Sequence, residues 1–157
     1  MLLTGTYRRT LDDKLRLSVP KQLRELLTDS NLFLTPGTDK ALFVYTGETL
    51  EGIGNMLSNL SPAAKETRAF SRLFYAQAQP ADMDKQGRLR LTPELSKLAG
   101  LENEVVIVGV KDRLEIWNAA GWDAFLLESQ PSYDELAEQV FANATGDLRT
   151  GDSKSTQ

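Results

Sequence analysis

The sequence predicts an α+β fold in which two pseudo-symmetric copies of one small β unit pack together, with helices between and after them. Alternating apolar and polar residues indicate short strands, and apolar residues at helical spacing indicate helices. The whole pattern occurs twice with a constant shift of 72 residues, which exceeds the period of solenoid repeats. Each copy spans about 45 residues, too few to bury an adequate core alone, so we expect one shared, small β-barrel-like core.

The repeat is clearest at two segments, Leu11–Pro20 and Met83–Pro93. In each segment an Asp precedes an Arg by four positions, and an alternating apolar run follows. The correspondence continues without a gap well beyond these segments. The matched pairs are Asp12 with Asp84, Arg16 with Arg88, Leu23 with Leu95, Leu26 with Leu98, Phe33 with Val105, Leu42 with Leu114, Val44 with Ile116, and Tyr45 with Trp117.

The first copy opens with an imperfectly alternating strand over residues 4–11, and a turn follows at residues 12–15. A half-buried strand of period two comes next. Pro20 stands where a helix begins, since its missing N–H is not needed there, and leucines at helical spacing follow. Two short strands, residues 33–35 and 41–45, flank Pro36-Gly37-Thr38-Asp39, which predicts a hairpin turn.

The middle segment, residues 46–78, is predicted to be helical. Ser61 and Pro62 indicate the N-cap and first turn of a second helix there, whose apolar stripe holds Phe70, Leu73 and Phe74. We expect these side chains to pack in the core. Gln79-Pro80 closes the segment.

The second copy repeats the order of the first: a turn at residues 84–87, a strand at 88–91, a helix that starts at Thr92-Pro93 and stops at Gly100, and a hairpin of strands 105–108 and 114–117. Two helical stretches, 120–127 and 132–144, follow. The predicted organisation is a first repeat over 1–50, a helical connector over 51–80, a second repeat over 81–124, a C-terminal helical region over 125–144 and a disordered tail over 145–157.

The composition argues against an enzyme. The chain has no Cys and no His, which excludes disulfides and thiolate metal sites and removes the usual general base near neutral pH. It has no Gly-rich phosphate loop and no ligand cluster with metal spacing. Asp12, Asp13 and Asp84 are suited to Mg²⁺ as oxygen ligands, but carboxylates in turns more often cap the backbone. We therefore expect no cofactor and no small-molecule substrate.

The length and hydropathy predict a cytoplasmic protein. No apolar run approaches the roughly 18 residues needed to span a bilayer. The first five residues, Met1-Leu2-Leu3-Thr4-Gly5, lack the charged start and apolar core of a signal peptide. No membrane partner is therefore expected.

Charge is distributed unevenly along the chain. The net charge of −4 by itself argues against nucleic acid as a partner. However, residues 1–24 hold six basic and two acidic residues, whereas residues 112–152 hold nine acidic and two basic residues. Because salt screens charges beyond about 8–10 Å, the local field at a contact surface matters more than the total.

The doubled Asp-x-x-x-Arg motif admits two interpretations. In the first strand Leu17 and Val19 must face inward, so Arg16 and Ser18 face outward, and the same alternation sends Arg88 and Arg90 outward. The Asp–Arg pairs either pin the turns as local ion pairs or present a guanidinium to a phosphate or a guanine. The flanking basic residues that are candidate phosphate contacts are Arg8, Arg9, Lys14, Lys85 and Arg90.

The doubled motif, in this order along the chain, resembles the MraZ family. The resemblance covers about residues 1–144. The resemblance implies two AbrB-like, swapped-hairpin units and a DNA-binding transcriptional regulator, mostly a repressor, of the operon that carries its own gene with cell-division and cell-wall genes. It also implies a nucleoid-associated, ring-shaped homo-oligomer that binds several short repeats in double-stranded DNA upstream of that operon. The positions that match the family motif are Asp12, Arg16, Asp84 and Arg88.

One position departs from the family pattern, which usually has Gly directly before the motif Arg. Gly87 keeps the pattern, but Leu15 replaces it in the first copy. If that position requires a positive φ, a Leu there costs about 1–2 kcal/mol. We therefore expect the first turn to differ in shape, or the position to tolerate a right-handed conformation.

Two further expectations concern protein partners. The middle helices, together with Trp122 and Phe125, are candidates for the contact between subunits. The alternative to a DNA-binding regulator is a protein-interaction module of the antitoxin or AbrB type, in which the acidic segment from Asp112 onward binds a partner.

Overall fold

The computed structural model describes residues 1–28 and 30–152, with the side chains of residues up to 144. The strands are β1 (Thr6–Thr10), β2 (Arg16–Ser18), β3 (Leu32–Pro36), β4 (Leu42–Thr46), β5 (Gln79–Ala81), β6 (Arg88–Arg90), β7 (Glu104–Val110) and β8 (Arg113–Asn118). The helices are α1 (Lys21–Leu27), α2 (Gly47–Ser58), α3 (Lys65–Gln77), α4 (Pro93–Leu98), α5 (Ala119–Ser129) and α6 (Tyr133–Asp152), with a 3-10 turn at Gln130–Ser132. The predicted α+β class is confirmed.

The strands form two antiparallel sheets. The larger has six strands in the order β1-β7-β8-β4-β3-β5, and the smaller consists of β2 and β6. The two predicted hairpins, β3-β4 and β7-β8, lie at the centre of the large sheet and are joined by pairing of β4 with β8. The first repeat's β1 pairs with the second repeat's β7, and β5, which precedes the second motif, pairs with β3. Each repeat therefore completes the sheet of the other.

The large sheet is open. Its edges are β1 and β5, and no strand pairing joins these two edges among the residues that the structure describes. The predicted β-barrel-like core is therefore not confirmed, since the described strands form no closed barrel. β5 is only three residues long and contains Pro80, which has no N–H for a further strand ladder. The sequence pattern places Gln79-Pro80 at the end of the middle segment and does not predict this edge strand.

Both repeats supply the core in equivalent pairs. Leu17 and Leu89 are 0% and 1% exposed, and the alternation predicted for the motif strands places them inward as expected. The same core holds further matched pairs from the helices and hairpins: Leu23 with Leu95, Leu42 with Leu114, and Val44 with Ile116. α4 starts as predicted, since the Thr92 hydroxyl accepts a hydrogen bond from the Leu95 N–H at 3.3 Å and Pro93 occupies the first turn.

The middle segment contains two helices, but the second starts later than predicted. α3 begins at Lys65, because residues 61–64 form a turn in which the Ala64 N–H donates to the Ser61 carbonyl at 3.2 Å. The prediction of core packing is correct for Phe74, which is 6% exposed. It is wrong for Phe70 and Leu73, which are 50% and 62% exposed. Part of the apolar stripe of α3 therefore faces solvent in the single chain.

By their contacts, residues 1–119 form one compact unit, and a second unit begins at Ala120. Both repeats lie in the first unit. The second unit contains α6, which ends at Asp152 and so includes residues 145–152 of the segment predicted as a tail. Residues 153–157, the rest of that predicted tail, lie outside the described residues. No helix within the described ranges is long and apolar enough to cross a bilayer.

Candidate nucleic-acid interface

The first motif forms a tight turn that is organised by the carboxylate of Asp12. Its Oδ1 accepts hydrogen bonds from the backbone N–H of Lys14 at 2.9 Å and of Arg16 at 2.8 Å. Its Oδ2 accepts from Nε of the Arg16 side chain at 2.7 Å. The turn is closed by the Leu15 N–H, which donates to the Asp12 carbonyl at 3.0 Å. One carboxylate thus caps the turn and holds the arginine.

The second motif repeats this geometry bond for bond. Oδ1 of Asp84 accepts from the N–H groups of Gln86 and Arg88, both at 2.9 Å, and Oδ2 accepts from Nε of Arg88 at 2.9 Å. The Gly87 N–H closes the turn on the Asp84 carbonyl at 3.0 Å. The Arg16 and Arg88 side chains are 30% and 28% exposed, so the two guanidinium groups also have matching environments.

The hydrogen bonds stabilise the charged form of both carboxylates. The pKa of Asp12 is lowered chiefly by the backbone hydrogen bond from Arg16, and the side chain of Arg16 adds to the effect. The pKa of Asp84 is lowered in the same way, chiefly by the backbone hydrogen bond from Arg88. Both carboxylates are therefore ionised at neutral pH, which keeps them as acceptors for the arginines.

Leu15 and Gly87 precede the motif arginines, and both have a positive φ, 60° for Leu15 and 78° for Gly87. The position therefore requires the left-handed conformation in both copies, and the first turn keeps its shape despite the Leu. The expectation that the first turn differs in shape is wrong. Leu15 therefore carries a strain of about 1–2 kcal/mol. The packing of its side chain against the core compensates for part of this strain.

The two motif strands pair with each other to form a ribbon, β2 with β6. Arg16 lies opposite Arg90, Leu17 opposite Leu89, and Ser18 opposite Arg88. Paired residues on antiparallel strands point to the same side, so Arg16, Ser18, Arg88 and Arg90 share one face and the two leucines share the other. The leucine face is buried and the arginine face is not, as predicted from the alternation.

The turns adjoin opposite ends of this ribbon. The Leu91 N–H donates to the Leu15 carbonyl at 2.8 Å, and the Val19 N–H donates to the Gly87 carbonyl at 3.0 Å. The carboxylates of the two turns are therefore separated. Within the described part of the chain, no group of three or more acidic residues is close enough to hold a metal ion.

The Asp partners engage only Nε of each motif arginine. No hydrogen bond or ion pair links the terminal nitrogens of Arg16 or Arg88 to any other described residue. Each guanidinium is thus fixed through one nitrogen, while the edge formed by its two terminal nitrogens remains available. That edge is the one that binds the paired oxygens of a phosphate, or the O6 and N7 acceptors of guanine.

The remaining predicted residues fall into two groups. Lys14 and Lys85 lie in the turns and are exposed, and Arg90 is exposed on the ribbon, so these three surround the motif arginines. Arg8 and Arg9 instead lie on β1 at the edge of the large sheet, where successive side chains point to opposite faces. Arg9 donates to the Arg8 carbonyl at 2.8 Å and lies over the Tyr7 ring. Arg8 and Arg9 therefore cannot both face the ribbon's side of the molecule.

Arg24 lies on α1 and is not among the predicted site residues, but the structure gives it a prominent position. Its side chain extends from α1 over Gly87, so that a Cβ added to Gly87 would overlap its guanidinium. Arg24 thus belongs to the first repeat but contacts the turn of the second. The sequence alone gives no signal for this contact, because it depends on how the repeats pack.

Similarity to known proteins agrees with this doubled arrangement. The family described as "MraZ protein, putative antitoxin-like" matches the chain twice, over residues 2–73 and 74–143. A protein named transcriptional regulator MraZ from Ligilactobacillus salivarius is 41% identical over 136 residues, which cover 87% of this chain and 94% of that one. Proteins of the same name from Lactobacillus helveticus and Alkaliphilus metalliredigens are 40% and 39% identical over the same shares of both chains.

The boundary between the two matched segments separates the two Asp-x-x-x-Arg turns, so each copy of the family pattern contains one turn. The identity to the relatives extends over most of both chains and is not confined to the motifs. The chain therefore belongs to the MraZ family.

Proposed function

We propose that the chain is a DNA-binding transcriptional regulator that contacts duplex DNA through the ribbon of β2 and β6 and its two turns. The observation that carries this proposal is the pair of guanidinium groups, Arg16 and Arg88, each fixed through Nε with its terminal edge open. The relatives named as transcriptional regulators support the same conclusion.

The dimensions of the ribbon suit a DNA groove. A two-stranded ribbon fits the major groove, which is about 12 Å wide. Arg16 and Arg88 are diagonal neighbours across the ribbon, a relationship that separates Cβ atoms by roughly 7–8 Å. This is about two base-pair steps at roughly 3.4 Å each, so the two arginines can reach positions two nucleotides apart along one strand.

The residues around the ribbon divide into three roles. Arg16 and Arg88 read base edges or bind phosphates directly, and Asp12 and Asp84 orient them. Lys14, Lys85 and Arg90 contact the phosphate backbone, since they are exposed and lie in the turns or on the arginine face of the ribbon. Arg8 and Arg9 contribute at most one further phosphate contact, because they point to opposite faces of β1.

Assembly compensates for the small interface of one chain. A single ribbon carries few positive charges, and we propose that several subunits in a ring-shaped homo-oligomer bind repeated sites upstream of the protein's own operon. Linked sites raise the effective concentration of each next contact and so increase the overall affinity. Met56, Phe70 and Leu73 on α2 and α3 are exposed apolar side chains that provide a surface for subunit contacts, and repression follows when the assembly occupies the promoter.

The test is a binding measurement with the double variant R16A/R88A. A labelled duplex from upstream of the protein's own coding sequence is titrated by gel shift and by fluorescence anisotropy. We expect the double variant to lose specific binding and to keep its fold and assembly. R72A is the matched control, since Arg72 is an exposed arginine on α3, outside both motifs and the ribbon. Binding by R16A/R88A at the level of R72A would disprove the role of the motif arginines.

A protein-interaction module is the second candidate function. The antitoxin-like description of the family and the exposed apolar residues of α6, which include Tyr133 and Val140 among acidic neighbours, favour it. In that case affinity purification from the native cell would recover a stoichiometric protein partner, and upstream DNA would show no shift. DNA binding that weakens steeply between about 50 and 200 mM salt would favour the first proposal.

A further inference from the structure

Arg24 and residues of the second turn line the same cavity. The side chain of Arg24 lies over Gly87, and both line a cavity of about 370 Å³ together with Asp84 and Lys85. The second turn is therefore flanked by two basic side chains in addition to its own motif arginine. One of them comes from the helix that follows the motif strand of the first repeat.

The guanidinium of Arg24 has no partner within the described residues. It makes no hydrogen bond or ion pair there, and its Nε is shielded from solvent. Asp82 and Asp84 also line the cavity, but the Asp84 oxygens are occupied by Arg88 and by two backbone N–H groups. Leaving a shielded, charged donor unpaired is costly, so this arrangement is suited to an anion that arrives with a ligand.

The first turn lacks this feature at each equivalent position. With the shift of 72 residues, Arg24 corresponds to Ser96, Gly87 to Leu15, and Lys85 to Asp13. Ser96 is buried, and its hydroxyl has no hydrogen-bond partner within the described residues. These three differences lower the positive charge at the first turn or fill its space with an apolar side chain. Lys14, which corresponds to Gln86, is the opposite case and gives the first turn one lysine of its own. The two turns thus share a backbone shape but differ in what surrounds them.

We propose that Arg24 binds a backbone phosphate of the DNA beside the second turn, together with Lys85, and that the first turn, which has Lys14, has no counterpart of the Arg24 contact. The inference rests on the proposed DNA binding. Glycine at position 87 is what allows the guanidinium to lie against the turn, because any side chain there would displace it. The second repeat therefore anchors the protein on the backbone more firmly than the first.

The test compares R24Q with K21Q. Both remove one positive charge from α1, but Lys21 is exposed and its amine lies 3.9 Å from Glu25 on the same helix. Anisotropy titrations are carried out over a series of salt concentrations, with a duplex from upstream of the coding sequence and with an unrelated duplex of the same length. We expect R24Q to lower affinity about tenfold on both duplexes and to reduce the salt slope by about 0.9, as one lost phosphate contact requires.

The outcomes separate this inference from the proposed function. K21Q is expected to keep the wild-type slope, and R24K is expected to restore it because the charge is retained. Wild-type affinity and slope in R24Q would overturn the role of Arg24 alone. A loss of affinity for only one of the two duplexes would also overturn it. An equal loss of affinity in R24K would do the same, because it would indicate that Arg24 acts through packing. Failure of the wild-type chain to bind either duplex would overturn both proposals.

Discussion

Leu17 and Leu89, which hold the same position in the two repeats, lie directly opposite each other across the ribbon of β2 and β6. Phe43 and Glu115, also equivalent by the shift of 72 residues, are paired in the same way between β4 and β8. A residue that pairs with its own counterpart lies on the local two-fold axis. The axis that relates the repeats therefore passes through both sheets, and the two motif turns are related by it.

This position on the axis predicts that Leu17 and Leu89 stabilise the fold jointly. L17A and L89A should each lower the free energy of unfolding by about 2–5 kcal/mol, since both side chains are buried. The double variant should lose less than the sum, because neighbouring residues share the space that each change empties. Urea unfolding measures this, with S18A on the exposed face as the control. Additive losses would show that the two side chains are energetically independent.

A second prediction separates the two roles of the motif carboxylates. In D12N/D84N the amide oxygen still accepts the backbone N–H bonds of the turn, but the amide nitrogen is a donor and cannot accept from Nε of the arginine. We therefore expect the fold to persist and DNA affinity to fall roughly tenfold, because the guanidinium groups lose their fixed orientation. Anisotropy and urea unfolding, run in parallel, measure the two effects. Unchanged affinity would show that the Asp–Arg pairs serve the turns alone.

Acid should weaken the fold through the same carboxylates. The pKa values of Asp12 and Asp84 are lowered below their ordinary value of 3.8, chiefly by backbone hydrogen bonds from Arg16 and Arg88. A group whose pKa is lower in the folded state adds stability above its unfolded pKa and loses it as the pH falls through the folded pKa. Unfolding free energy should thus fall as the pH drops below about 3.8, and D12N/D84N should show a shallower fall over that same range. Identical acid profiles would contradict this assignment.

The sequence was sufficient for the elements that depend on local pattern. The alternation around Leu17, the Thr92-Pro93 helix start and the two hairpins are set by neighbouring residues, and the structure has all of them. The sequence was insufficient where pairing between distant segments decides the structure. β5 contains Pro80 and, within the described residues, pairs with β3 as its one strand partner, and the open sheet depends on which strands are left at its edges. Phe70 and Leu73 follow a helical stripe whose exposure the periodicity alone does not determine.

The candidate site was predicted in its residue types but not in its arrangement. The repeat placed Asp12, Arg16, Asp84 and Arg88 at equivalent positions, and their hydrogen bonds match. That the two motifs meet in one ribbon follows from the packing of the repeats about their axis, which no local pattern encodes. The contact of Arg24 with Gly87 arises from the same packing.

The last prediction transfers the environment of the second turn to the first. S96R alone should destabilise the fold by about 1–3 kcal/mol, since it inserts a large side chain at a buried position that the two-fold relation places near Leu15. L15G/S96R should recover much of this loss, because Gly removes both the side chain and the strain of a positive φ.

The double variant should also bind DNA with a salt slope about 0.9 steeper than wild type, since it adds one phosphate contact. Urea unfolding of the two single variants and the double variant gives the coupling energy, and anisotropy titrations give the slope. If the two changes are additive in stability and the slope is unchanged, the surroundings of the two turns are not interchangeable. In that case the difference between the two turns does not arise from the residue pairs Leu15–Ser96 at the first turn and Gly87–Arg24 at the second.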